Sequence, residues 1–385
     1  LALLVFIAFS GTLAMHIFVP ALPKAAQALQ TDSHTIQLAI TVYILGLALG
    51  QLIYGPLSDS IGRRKAVIGG LVLYSAGAIA SGLAPNAEFL IIARLLQALG
   101  GAGGLSLTRV IVADTRKGTE ATKGIAVLNL ILLLGPGLAP VIGAQIADHF
   151  GWRVIFAALT VMAVVTLFFT LFKLPETRDL SHITSPGQAF RGFANLARNR
   201  AFFRIASGGA FGSTACYAYF VSAPFILSDD MGLSVQMVGY CIGGTLIAAA
   251  AGTLLTRSLV GKVKTRTLFV AFSSLGLAAG TLFLAAALAD LLTPVTVVAL
   301  SLLVLLSAGG LGPITIGTIL QLAGPEAGSA AGLYGCFQML SGVVCSFIAG
   351  LFTNHEMGCG LVLTGGYLIC LIQSLQWPRK TPERA

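Results

Sequence analysis

Charge is scarce in this sequence: 10% of its 385 residues are Asp, Glu, Lys or Arg, 56% are hydrophobic, and the mean hydropathy is +0.90. A soluble chain needs about 25% charged residues to cover its surface. The composition therefore excludes a soluble globular protein, and most of the surface must face something other than water. Acidic groups are the rarest charges, 14 against 23 basic ones, and none sits well inside an apolar run. That removes the paired carboxylates of an acid–base enzyme. Six cysteines lie in the second half with no Cys-x-x-Cys pair and no His–Cys spacing that suits zinc, so they read as small packing residues. No Gly-x4-Gly-Lys-Ser/Thr sequence and no His-Glu-x-x-His is present, which argues against phosphate-loop ATP chemistry and metalloprotease chemistry. No cofactor, no metal and no enzymatic activity are expected.

What is present is apolar length. A spanning helix needs about 20 mostly apolar residues. Twelve such runs can be marked, at roughly 1–19, 35–54, 65–83, 87–108, 124–147, 153–173, 203–227, 235–256, 267–288, 293–320, 329–352 and 358–376. The expected fold is an all-α integral membrane protein. The first residue is Leu1 rather than Met, so a short tail is expected to precede it. The opening run is too long for a signal-peptide core and has no small-residue cleavage site behind it.

Basic residues orient the chain. Connections after odd-numbered helices carry two of them, Lys24 and Arg153, while the other connections and the tail carry nineteen. By the positive-inside rule both termini are cytoplasmic, which also explains the net charge of +9 without a nucleic-acid partner. The long basic connection 174–202 divides the chain into a six-helix bundle at 1–173 and another at 203–385. Equal halves suggest a duplicated architecture with a substrate site at the membrane midplane.

Five stretches carry a family resemblance. Gly55-Pro56-Leu57-Ser58-Asp59-Ser60-Ile61-Gly62-Arg63-Arg64-Lys65 resembles the signature between helices two and three of the major facilitator superfamily, with Ser60 where a basic residue is usual. Its physical reading is a tight glycine turn bracketed by Asp59 and Arg63. Asp59 can meet a helix N-terminus and Arg63 can pair with Asp114, making a latch of Gly55, Asp59, Gly62, Arg63 and Asp114. Arg94-Leu95-Leu96-Gln97 resembles the Arg-x-x-Gln-Gly signature of helix four, with Ala98 replacing the glycine. An arginine within a spanning helix needs a partner or a water-filled cavity. Gly135, Pro136, Pro140 and Gly143 resemble the helix-five motif of drug:proton antiporters, where proline kinks the helix and small residues make a close seam. Phe18-Val19-Pro20-Ala21-Leu22-Pro23 and Ser222-Ala223-Pro224-Phe225 are similar to the bicyclomycin-resistance (Bcr/CflA) branch of multidrug efflux transporters.

The resemblance implies a monomeric secondary transporter of the bacterial inner membrane, working by alternating access on a small-molecule substrate in exchange for protons. The implied cavity residues are His16, Tyr43, Arg94, Gln97, Tyr217, Tyr219 and Gln338. In the branch an aspartate often occupies the position of His16. An imidazole titrates near 6.5 in water and can carry a proton, or it can simply hydrogen-bond between packed helices. His16 is expected about three residues inside the outer end of the first helix. Arg94 in a carboxylate-poor interior favours neutral or anionic compounds over cations. The alternative is a dedicated exporter or importer of one metabolite, such as a siderophore or nucleoside, working as a coupled carrier or a uniporter.

Overall fold

The computed structural model describes residues 2–115, 138–177, 198–323 and 327–375, with the side chains at 56, 59, 109, 113, 323, 327–329 and 331 outside that description. These residues are helical almost throughout, as burial in lipid requires: with no water to bond them, backbone amides and carbonyls must be satisfied within the segment. Eleven helices among the described residues are long and apolar enough to cross a membrane. The run expected at 124–147 lies mostly outside the described residues, of which 138–149 is helical.

In chain order the helices are α1 (Ala2–Ile17), α2 (Leu22–Ala28), α3 (Ser33–Ile61), α4 (Arg63–Gly82), α5 (Ala87–Thr115), α6 (138–149) and α7 (Trp152–Lys173). They continue as α8 (Arg200–Thr214), α9 (Tyr217–Phe225), α10 (Val235–Leu259), α11 (Thr265–Leu288), α12 (Pro294–Ala323), α13 (Ala327–Gly350) and α14 (His355–Leu375). Polar caps mark several starts. Asp32 Oδ1 accepts from the Thr35 amide at 2.7 Å, Asn86 from Phe89 at 2.9 Å, Asn199 from Ala201 at 3.0 Å and Asn354 from Met357 at 2.8 Å. Each answers one of the amide donors that a helix N-terminus leaves unbonded. The helix backbone of α3 ends at Gly62, whose φ of +95° takes the chain directly into α4. Only glycine enters that region without a Cβ penalty.

The chain forms two compact units, Leu1–Gln188 with Leu233–Gly243, and Ala189–Gly232 with Gly244–Ala385. In the first, α5 is central and packs along both α3 and α4. In the second, α11 lies against α12 and α14, and α8 packs on α12, α13 and α14. Large apolar side chains such as Leu83, Phe172 and Val295 are about three-quarters exposed, an arrangement that hydrocarbon accepts and water penalises.

Candidate functional site

In the first unit three side chains from three helices converge on one face of α1. Tyr74 Oη donates to the Ser10 carbonyl at 3.0 Å, Tyr43 Oη to the Gly11 carbonyl at 2.8 Å, and Arg94 Nη2 to the Ala14 carbonyl at 3.0 Å. Positions 10, 11 and 14 share a helix face, and a carbonyl already bonded in its helix has a second lone pair to offer. Arg94 also donates through Nη1 to Gln97 Oε1 at 2.7 Å, one turn along α5. Its guanidinium carbon lies 3.9 Å from the Tyr43 ring centroid and 5.7 Å from those of Phe18 and Phe156.

Arg94 is wholly buried, and among the described residues no carboxylate pairs with it and its Nε has no hydrogen-bond partner. Its charge is therefore balanced by ring faces and carbonyl oxygens. Guanidinium suits this task better than ammonium because it is planar and weakly hydrated.

His16, Tyr43, Arg94 and Gln97 all belong to this unit, and Arg94 reaches Ala14 in α1 and Phe18 just after it, on either side of His16. The depth of His16 differs from the sequence expectation. The first apolar span does not end near Val19. A 3-10 turn at Val19–Ala21 carries it on to Ala28, so His16 is buried well inside it. Pro20 and Pro23 break the α-type ladder but sit at the N-terminal positions of new helical turns, where a missing amide costs little.

The glycine turn between α3 and α4 holds a second cluster. Arg63 Nε lies 3.4 Å from Asp114 Oδ2, and Arg63 Nη1 also donates to Ser58 Oγ. Gly55 is inside α3, not at the turn, with open space around the position a Cβ would take. The side chain of Asp59 is outside the described residues. The carboxylate at the N-terminus of α4 is one the sequence reading missed. Glu176 Oε1 accepts from the Arg63 amide at 2.9 Å and Oε2 from the Arg64 amide at 3.2 Å. A Cβ on Gly62 would run into that carboxylate. The available signal was Leu174-Pro175-Glu176, a carboxylate just behind the proline that follows α7.

Of the helix-five residues, Gly135 and Pro136 lie outside the described residues. Pro140 and Gly143 are in α6, where a Cβ on Gly143 would strike the Ile17 carbonyl, so the α1–α6 seam needs glycine there. At the opposite end of α6, Asp148 accepts from Lys24 Nζ at 2.8 Å and from Gln236 Nε2 at 2.6 Å. The hydrogen bond and charge of Lys24 hold this carboxyl below the ordinary carboxylate range.

Tyr217, Tyr219 and Gln338 belong to the second unit. The helix breaks at Ala215-Cys216 before α9, and α9, containing Pro224, runs into a π turn at Ile226–Asp230. Such turns recur at functional sites. Tyr219 is fully buried, and the Tyr217 ring lies 6.0 Å from that of Phe220. Gln338 Nε2 donates to Ser213 Oγ at 3.0 Å, beside a Thr214–Ser341 hydroxyl pair at 2.8 Å. Hydroxyls and an amide are the polar groups of this α8–α13 seam, whereas the first unit presents a fixed cation.

Long helices with apolar side chains exposed and costly polar groups held inside define a polytopic membrane protein. The model of the Major Facilitator Superfamily matches residues 4–346, and the chain belongs to that family. It is 28% identical to the MFS-type transporter YdgK of Bacillus subtilis over 99% of this chain and 95% of that protein. It is 27% identical to the multidrug resistance protein MdtL of Escherichia coli over 93% of this chain and 89% of that one. The crystal structure of a D-xylose-proton symporter superposes with a TM-score of 0.78 at 14% identity, covering 99% of this chain and 97% of that one. At that identity the likeness concerns the fold.

Proposed function

We propose that this chain exports small organic compounds, neutral or anionic, across the bacterial inner membrane by alternating access, driven by inward proton flow. The observation that carries the substrate class is Arg94, a buried cation in a spanning helix with aromatic faces and carbonyls around it and no carboxylate pairing with it among the described residues. Such a site repels cationic drugs, and the guanidinium Nε, unbonded among the described residues, is a donor for an acceptor on the substrate. The multidrug resistance protein among its relatives supports export, and the proline-bearing stretches Phe18–Pro23 and Ser222–Phe225 support the Bcr/CflA branch. In this reading the transporter is a monomer with twelve spanning helices in two bundles, 1–173 and 203–385, joined by a cytoplasmic linker at 174–202, and both termini are cytoplasmic. Tyr43, Gln97, Tyr217, Tyr219 and Gln338 offer hydrogen bonds to substrate, and His16 carries the proton. The Arg63–Asp114 pair with Gly55, Asp59 and Gly62 sets the balance between conformations, while Gly135, Pro136, Pro140 and Gly143 shape the helix-five seam.

The test is transport by purified protein in liposomes under an imposed pH gradient. Uphill movement of an uncharged or anionic antibiotic that collapses when the gradient is dissipated, and that Arg94→Met abolishes, is the expected result. Uphill movement of cationic dyes undiminished in Arg94→Met overturns the substrate class. Downhill movement alone points to a uniporter.

A further inference from the structure

Where α7 ends, the stretch through Glu176 runs to the start of α4 and leaves two adjacent hollows. One, of about 510 Å³, is lined mainly by apolar side chains, among them Leu3, Phe6, Ile111 and Phe169, with Lys173 and Thr177 at its polar part. The other, of about 430 Å³, is lined by Arg64, Phe172, Lys173, Leu174, Pro175 and Glu176. Lys173, Leu174 and Pro175 are common to both. The start of α1, the end of α5 and the end of α7 all meet here, so the hollows lie where spanning helices leave the hydrocarbon on the basic face.

The second hollow keeps a net positive charge, with Arg64 and Lys173 set against the single carboxylate of Glu176. Glu176 is spent on the amides of Arg63 and Arg64, and Asp114 faces Arg63. Arg64 is steered toward the second hollow by a hydrogen bond from Nη2 to the Leu171 carbonyl at 2.7 Å. Lys173 lies over the Phe169 ring with Nζ 5.1 Å from its centroid. Thr177 Oγ1 is buried without a hydrogen-bond partner among the described residues, and a buried hydroxyl in that state favours a polar ligand.

We propose that this paired hollow is a binding site for one anionic phospholipid. An acyl chain lies along Leu3, Phe6, Ile111 and Phe169, and the phosphate sits between Lys173 and Arg64 within reach of the Thr177 hydroxyl. A greasy groove alone accepts any lipid; two cations at its polar end select a net negative headgroup. Because the same segment carries Glu176, a lipid seated here braces the stretch that caps α4.

The experiment is native mass spectrometry of the full chain in detergent, titrated with phosphatidylglycerol and with phosphatidylethanolamine of identical acyl chains. Phosphatidylglycerol should be retained more strongly. Lys173→Gln should weaken its retention about fivefold, the effect of one interfacial cation, and Lys173→Arg should keep it. Leu3→Trp, which fills the groove without touching the charges, should lower retention of both lipids, with thermal unfolding of each variant confirming that it is folded. Equal retention of the two lipids by the parent, or unchanged retention in Lys173→Gln, overturns the proposal. Displacement of phosphatidylglycerol by millimolar inorganic phosphate also overturns it, since the site would then hold an anion and not a lipid.

Discussion

Replacing Glu176 by alanine removes both acceptors from the first turn of α4 and leaves the Arg63–Asp114 contact at 3.4 Å in place. Losing a cap costs about 1 kcal/mol, and losing a negative charge at a helix N-terminus about 0.3–1 kcal/mol more. Glu176 is exposed, so solvent screening puts the sum near the lower end, about 1–1.5 kcal/mol. At 1.4 kcal/mol per decade that is about a five- to twelvefold rise in local opening. Hydrogen exchange of a peptide covering residues 60–68 reads this directly, and the expected acceleration is confined to that peptide. Glu176→Gln keeps one acceptor oxygen but loses the charge, and should show about half the effect in free energy. Gly62→Ala tests the same geometry from the other side, since its Cβ meets both the positive φ and the carboxylate. In a Glu176→Ala background the collision disappears and the φ strain remains, so the two substitutions should be less than additive. Unchanged exchange at residues 60–68 in Glu176→Ala, or strict additivity with Gly62→Ala, would refute the capping argument.

His16→Gln should abolish uphill, proton-driven transport in liposomes and preserve downhill exchange, because glutamine keeps hydrogen bonding without titrating. His16→Asp should restore coupling with its pH dependence moved toward acid, and full uphill transport by the Gln form would rule His16 out as the proton carrier. Gly55→Ala should raise thermal stability by about 0.5–1 kcal/mol, the helix-propensity gain in open space. Gly100→Ala, whose Cβ would meet the Tyr74 amide and the Gly70 carbonyl, should lower it by about 1–3 kcal/mol. Asp148 has its carboxyl held low by Lys24, so its contribution is present above the ordinary carboxylate value and fades as pH falls below about 4. An acid titration of unfolding should show this loss in the parent and not in Asp148→Asn.

Spanning helices were legible in the sequence because hydropathy is a local sum, and in lipid a long apolar stretch has few alternatives to a helix. Gly62-Arg63 was legible for a similar reason: a positive-φ turn between two helices selects glycine whatever surrounds it. The superfamily, too, could be recognised from short motifs such as Arg94-x-x-Gln97. What those residues touch was not legible. Arg94 meets the Ala14 carbonyl and the Tyr43 ring across helices distant in the chain, and nothing in residues 90–98 specifies either partner. Glu176 reaches the start of α4 from more than a hundred positions away, so the motif around Gly62 gave no sign of it. Pro20 was read as the end of a helix, because a lone proline pattern does not say whether the chain stops or turns and continues. Only packing against α5 and α6 decides that. Local propensity and hydropathy act within a turn or two of helix. The balance of a buried charge is settled by whichever carbonyl, ring or carboxylate the tertiary fold brings within a few ångströms.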